Sequence, residues 1–596
     1  MKLPSLSILV QAFAGACVRF PAAMLCAIVG ALSAMAAVQF ETNNDHYAEL
    51  WVTAMLGLAL CTGLTALAEA NGWSRWKNWG IQLAGLAYLA AYYFVLDINA
   101  PEMQWVFLPR HLGLMAVAHL LVAVAPYLNS RSVADFWEYN KQLFANFVIG
   151  GAYTLILYGG LALALQAVNQ LFDLHISGKM YVHLFLLLAG VFQTTFFFHH
   201  FPQRFGFDEG ERSYNIVFKN LCQYILIPIV GLYFFILYAY SIKIMVTWSL
   251  PHGWVSSLVL GFSVAGIFTY LINYLLPEHT DSKVVHAYRK WFWWVLLPMV
   301  GLLFVAIGRR IVDYGITPER YVVAHAGVWL LVMCAYFLWS KTDNIKFVPI
   351  SLGLFVLVAV LGPFSAFSVS QRSQTAILQG LLEKNKRFEN GVLKGGGAAV
   401  PVAEADRIHS SLLFLGQQNA LDRIEGWFPV PLQTIAKDTT KYGQYNRATE
   451  IAQWLNAKPE NVILSQRESV HVSSPGQGRH TGNIGGFRNY YEVQFFDAHY
   501  IKNRLDGYFT WLSDDRKTLL VYDNYGETVV DSFDMEPTMR KWLDAAKGEN
   551  SLVLPEGADV LELRGKKLTA RLFLKEVQFD PIELRLQNMT GILFTK

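Results

Sequence analysis

Charge is scarce in this chain. Only 16% of its 596 residues are Asp, Glu, Lys or Arg, against 54% apolar and 14% aromatic, whereas a water-soluble domain carries about 25% charged residues. A wholly soluble fold is excluded, and a chain that crosses a membrane many times is expected. A basic surface is missing too: the net charge is +3, which argues against nucleic acid as a partner. Cysteine is sparse. Cys17, Cys26, Cys61, Cys222 and Cys334 all lie in or beside apolar segments, without C-x-x-C or Cys/His spacing. Neither a zinc site nor a disulfide framework is expected, and no cofactor or metal is called for. Beyond residue 366 there is no G-x-S-x-G, no H-E-x-x-H and no phosphate-binding loop, so nothing there points to an enzyme.

The charge that is present is unevenly placed. Residues 367–596 hold 28 basic and 28 acidic side chains, an ordinary soluble composition. Before them, apolar runs fall near 20–40, 50–68, 79–96, 105–126, 142–168, 181–200, 221–242, 254–276, 291–308, 321–338 and 347–366. Each approaches the ~20 residues needed to cross a hydrocarbon core ~30 Å thick, and lipid admits only helices here. The expected fold is therefore a polytopic α-helical membrane bundle of about 11 transmembrane helices (20–366), followed by an α+β soluble domain (367–596). Residues 1–19 read as a short interfacial amphipathic helix. Pro21, at the start of the first run, suits an uncleaved span.

Loop charge gives an orientation. With the N-terminus inside, fourteen Lys and Arg fall on the cytoplasmic side and five on the other, namely Lys179, Lys243, Arg309, Arg310 and Arg320. That asymmetry places the N-terminus in the cytoplasm, and an odd number of spans then places the C-terminal domain outside, in the periplasm. In that domain Gln371 opens an amphipathic helix with Ile377, Leu378, Leu381 and Leu382 on one side. Alternation at Leu568, Ala570, Leu572 and Leu574 reads as a strand. Strands are also expected at 489–496, 507–512, 517–522 and 582–594, in a mainly antiparallel sheet. The Gly-rich stretch Pro475 to Gly486 reads as a linker, with a mobile ligand loop as the rival.

Two places draw a functional reading. Arg110 and His111 lie one to two turns inside a span, where an arginine is costly and a partner is the default hypothesis; snorkelling to the headgroups competes with it. Arg309 and Arg310, beside Asp313 and Tyr314, end another span on the side where positive charge is unusual. They suit an anionic headgroup or phosphate held by bidentate contacts. The competing reading is a structural salt bridge to Asp313 or a lock onto the C-terminal domain.

Several stretches resemble an uncharacterised bacterial multi-pass family catalogued as "domain of unknown function 4153". They are Arg19-Phe20-Pro21, ILIPIVGLYFFILYAYSIKI with the following LPHGWVSSLV (225–259), AIGRRIVDYGITPERY (306–321) and GPFSAFSVSQRSQ (362–374). The resemblance implies a bacterial inner-membrane protein with a C-terminal extramembrane domain and no catalytic residues. The leading expectation is a non-enzymatic envelope scaffold binding a protein partner, with the lipid bilayer around it. A transporter or lipid-handling permease for an anionic substrate, such as an anionic lipid, is the alternative. A polyprenyl-linked glycosyltransferase ranks last, because the loop carrying Glu41, Asp45 and Glu49 is too short to build a site.

Overall fold

The computed structural model describes residues 6–40, 45–100, 102–129, 132–207, 216–247, 254–340, 343–437, 443–457, 470–473, 489–496, 499–500, 509–513, 515–522, 529–546, 551–555, 558, 560–565, 568–580 and 584–595. The Pro475–Gly486 stretch and Glu41 lie outside them. The chain forms two compact units. One is Met1–Gly397 with Arg407–Leu455, and the other is Ala398–Asp406 with Asn456–Lys596.

The first unit is helical. It runs through α1 (Leu6–Arg19), α2 (Pro21–Gln39), α3 (Asp45–Ala70), α4 (Arg75–Val95), α5 (Leu108–Val124), α6 (Val133–Phe172), α7 (Gly178–Leu187) and α8 (Gln193–His199). It continues with α9 (Ile216–Asn220), α10 (Ile227–Thr247), α11 (Trp254–Ile272), α12 (Lys283–Tyr314), α13 (Pro318–Trp339), α14 (Phe347–Val360) and α15 (Ala366–Lys384). Among the described residues, nine helical stretches are long and apolar enough to cross a membrane. They coincide with nine of the eleven expected spans. The other two are helices as well. α4 is diluted by Gln82 and a run of tyrosines, and α14 has only 14 residues.

Small residues let these helices approach closely. A Cβ at Gly30 would sit 3.3 Å from Ala54, and one at Gly57 would sit 2.7 Å from the Cys26 sulfur. The small-residue stripe of α2 is thus filled within the chain by α3. Pro298 lies inside α12, which continues through it. Nearby, the Tyr238 hydroxyl donates to the Val295 carbonyl at 2.8 Å, the kind of side-chain bond that satisfies backbone loosened by proline in lipid.

α15 buries Phe367, Ser370, Gln374, Leu378, Leu381 and Leu382 on one face, the 3–4 residue spacing of an amphipathic helix. After it come the hairpin β1 (Phe388–Glu389) and β2 (Val392–Leu393), then α16 (Val402–Gln417), α17 (Asp422–Glu425), α18 (Leu432–Ile435) and α19 (Gln444–Trp454).

The second unit holds β3 (Val470–Ser473), β4 (Asn489–Phe496), β5 (His499–Tyr500), β6 (Phe509–Leu512), β7 (Thr518–Tyr522), β8 (Val529–Asp534), α20 (Glu536–Ala546), β9 (Ser551–Val553), β10 (Val560–Arg564), β11 (Thr569–Asp580) and β12 (Arg585–Thr595). One sheet has the order β5-β4-β12-β11-β3-β9, with β10 also on β11; the other is β6-β7-β8. All pairs are antiparallel except β3 with β9. β11 alternates as the sequence predicts, burying Ala570, Leu572, Leu574, Val577 and Phe579 in a core that α20 joins through Met539 and Trp542. Asp531 is buried and accepts from the Leu568 and Ser532 amides at 2.7 and 2.9 Å. It thereby fixes the β10–β11 turn.

Candidate functional site

The stretch from α12 into α13 is a junction. α12 ends at Gly315, where φ is +75° and the amide bonds back to the Ile311 carbonyl. Pro318 then opens α13, a position where its missing N–H costs nothing. Between them, residues 314–316 present backbone polar groups to α15. Ser373 Oγ accepts from the Ile316 amide at 3.0 Å. The Gln374 amide nitrogen donates to the Tyr314 and Ile316 carbonyls, both at 3.2 Å. Its oxygen accepts from Ser411 Oγ at 3.2 Å. A side chain at Gly315 would run into Ile377, Gln374 and Ser373. Buried amides cannot be left unpaired cheaply, so Gln374 specifies one seating for α15.

Of the nearby arginines, Arg320 bonds to the turn from α13, while Ser373 and Gln374 bond to it from α15. Arg320 donates to the Gly315 and Tyr314 carbonyls at 2.9 and 3.2 Å and lies over the Tyr314 ring at 5.4 Å. Arg309 reaches Asp313 at 3.9 Å, with both side chains at least half exposed, a geometry worth little. Arg310 has no carboxylate partner among the described residues. Asp313 offers its carbonyl to Arg407 at 3.5 Å. Tyr314 is 61% exposed.

Arg110 and His111 part company. His111 is buried and its Nδ1 lies 2.9 Å from the Tyr92 hydroxyl. The Arg110 guanidinium lies 5.3 Å from the Phe367 ring and 6.0 Å from that of Phe107, while its buried Nε has no hydrogen-bond partner among the described residues. Phe367 belongs to α15, as do Ser373 and Gln374. Arg110 and the 314–316 turn therefore meet the same helix about 9 Å apart along its axis. A π-helical turn, Met103–Phe107, precedes Arg110; such turns recur at functional positions.

Another polar cluster joins the opposite helix ends, and sequence reasoning passed over it except as a motif. Arg19 grips both Glu69 oxygens at 3.0 and 2.8 Å and donates to the Phe201 and Pro202 carbonyls at 3.0 and 2.7 Å. Phe20 stacks on Phe198 at 4.4 Å. Deeper in the bundle, Lys141 pairs with buried Glu138 at 2.7 Å. Among the described residues, no three His, Cys, Asp or Glu side chains gather as a metal site requires.

Residues 20–403 match the family model described as "Domain of unknown function (DUF4153)". An uncharacterized protein of Pasteurella multocida (strain Pm70), PM1469, is 27% identical over 305 residues, which is 46% of this chain and 51% of that protein. The chain thus spans about half the length of this curated relative. No solved structure matches. The matched residues hold the Gly315 junction with the helix seated on it, Arg110 and the Glu69 partner of Arg19, and this chain belongs to the DUF4153 family.

Proposed function

We propose that this protein is a non-enzymatic scaffold of the bacterial inner membrane. Its N-terminus lies in the cytoplasm, and its C-terminal region is held at the periplasmic face for a protein partner. The observation that carries this reading is the Gln374 knot. Each polar atom of its side chain is spent on fixing α15 to the 314–316 turn, which suits a rigid mount rather than an open catalytic cleft. The loop-charge asymmetry supports the orientation. Crosslinking in intact cells, followed by mass spectrometry of what co-purifies with the full-length protein, tests it. A stoichiometric envelope protein lost from the Gln374→Leu variant is expected; no protein partner at all counts against the scaffold.

A permease for an anionic substrate is the second reading. It is favoured by Arg310, which stands beside Arg309 and Arg320 with no carboxylate partner among the described residues. Uptake or lipid flipping that survives Arg310→Ala and Arg110→Ala together would argue against it.

A further inference from the structure

A cavity of about 520 Å³ lies between α3, α5, α6 and the α7–α8 rod, within the range of about 300–1,000 Å³ of small-molecule sites. Its mouth carries Phe144 and Phe147, 42% and 62% exposed, on a membrane-spanning helix. α6 is long and apolar enough to cross a membrane, which gives a ligand a route of entry from the lipid. Within this apolar wall stand Thr62, His119, Asn140, Gln193 and Thr194. The ends Ala70, Tyr127 and Val133 lie on one side of the bundle, where Asn129 bonds to Asn71. At ~1.5 Å per residue, Thr62, His119 and Asn140 lie roughly 10–12 Å along their helices from those ends, whereas Gln193 reaches Phe147 and Thr154 farther along α6. Thr62, His119 and Asn140 form one polar edge of the cavity.

The hydrogen bonds already made leave acceptors available on Thr62, His119 and Asn140. His119 Nδ1 faces the Met115 carbonyl at 2.8 Å. A carbonyl only accepts, so the proton is on Nδ1 and Nε2 is an acceptor. Asn140 donates its amide to the Ala123 and Phe136 carbonyls at 3.2 and 2.9 Å, leaving its oxygen. The Thr62 hydroxyl donates to the Leu58 carbonyl at 2.6 Å, leaving lone pairs. Gln193 is engaged on both sides, by Thr154 at 2.8 Å and the Phe147 carbonyl at 3.0 Å. Among the described residues, no Lys or Arg lines the cavity. The acceptors on Thr62, His119 and Asn140, with no cation beside them among the described residues, reward a donor over phosphate or carboxylate.

We propose that this cavity binds a long-chain lipophile carrying an O–H donor, with the hydroxyl at His119, Asn140 and Thr62 and the chain along Phe144 and Phe147. The inference stands apart from the scaffold reading. Diglycerides, isoprenoid alcohols and lipid quinols share this chemistry, and the mass of the endogenous ligand distinguishes them.

Full-length protein in mild detergent is titrated with oleyl alcohol and with its methyl ether, and binding is read by native mass spectrometry. Wild type should hold the alcohol about five- to tenfold more tightly than the ether, the worth of one net hydrogen bond. His119→Leu should lose most of that preference while binding the ether as before. Thr62→Val should lose part of it. Both substitutions leave backbone bonding intact, and an unchanged unfolding temperature checks the fold. Equal binding of the two probes by wild type, or binding of neither, overturns the proposal. So does an endogenous ligand that the alcohol displaces but that has no O–H donor.

Discussion

At Gly315 the backbone lies at φ +75° and ψ −176°, a region open essentially to glycine alone and costing other residues about 1–3 kcal/mol. Gly315→Ala should therefore destabilise the full-length protein by at least that amount, because the added methyl also meets Ile377. Thermal unfolding in detergent measures it. Gln374→Leu should cost about 1–3 kcal/mol, since it takes the side-chain donor from the Ile316 carbonyl and the acceptor from the buried Ser411 hydroxyl. Arg309→Ala, which breaks only an exposed pair, should stay within about 0.5 kcal/mol of wild type. The contrast shows what was legible at this scale. AIGRRIVDYGITPERY stands out in the sequence because charge interrupts an apolar run, and the eye goes to the arginines. The groups that hold α15 are instead a backbone amide met by a serine and two carbonyls met by a glutamine. Carbonyls have no sequence signature, and a glutamine on an amphipathic helix looks like any solvated residue. Arg110 and His111 were legible as buried polar groups, but not their separate partners in Phe367 and Tyr92.

Among the elements, α20 offers a test by pH. Its first residue, Glu536, is bonded by Arg540 at 2.6 Å and Lys517 at 3.1 Å, and these bonds hold its carboxyl below the usual range. A depressed carboxyl stabilises the fold above its ordinary value of about 4.3. That contribution disappears as pH falls through the lowered value. Wild type should lose stability on acidification through this window, and Glu536→Gln should flatten that part of the curve when unfolding temperature is followed against pH. Helices and strands were the most legible level. The apolar runs and the alternation in β11 follow directly from burial. α4 and α14 strain the hydropathy rule because tyrosines dilute one and brevity limits the other.

For the whole molecule, the compositional change at residue 367 and the division into compact units fall in different places. α15 is charged enough to read as soluble, yet its apolar face and Gln374 are buried against the bundle. Sequence composition reports what a helix exposes, while the unit is set by what it buries. The proposed orientation has its own check. Asn390→Cys, in the exposed β1–β2 turn, should react with a membrane-impermeant maleimide in cells whose outer membrane is opened. Arg75→Cys should react only after lysis. Of the native cysteines, Cys26, Cys61, Cys222 and Cys334 are buried and contribute little background. The reverse pattern of labelling would invert the topology.

The Arg19 clamp sets a clock on assembly. Its carboxylate partner lies 50 residues further along the chain, and its carbonyl partners 182 and 183 residues further. At roughly 5–20 residues per second of synthesis, Glu69 arrives within about 10 s, but the turn after α8 takes roughly 10–40 s. Until then the guanidinium at the start of the first span is only half satisfied. A nascent chain halted before Phe201 should leave that end of the bundle loose, and translation through α8 is the step that closes it.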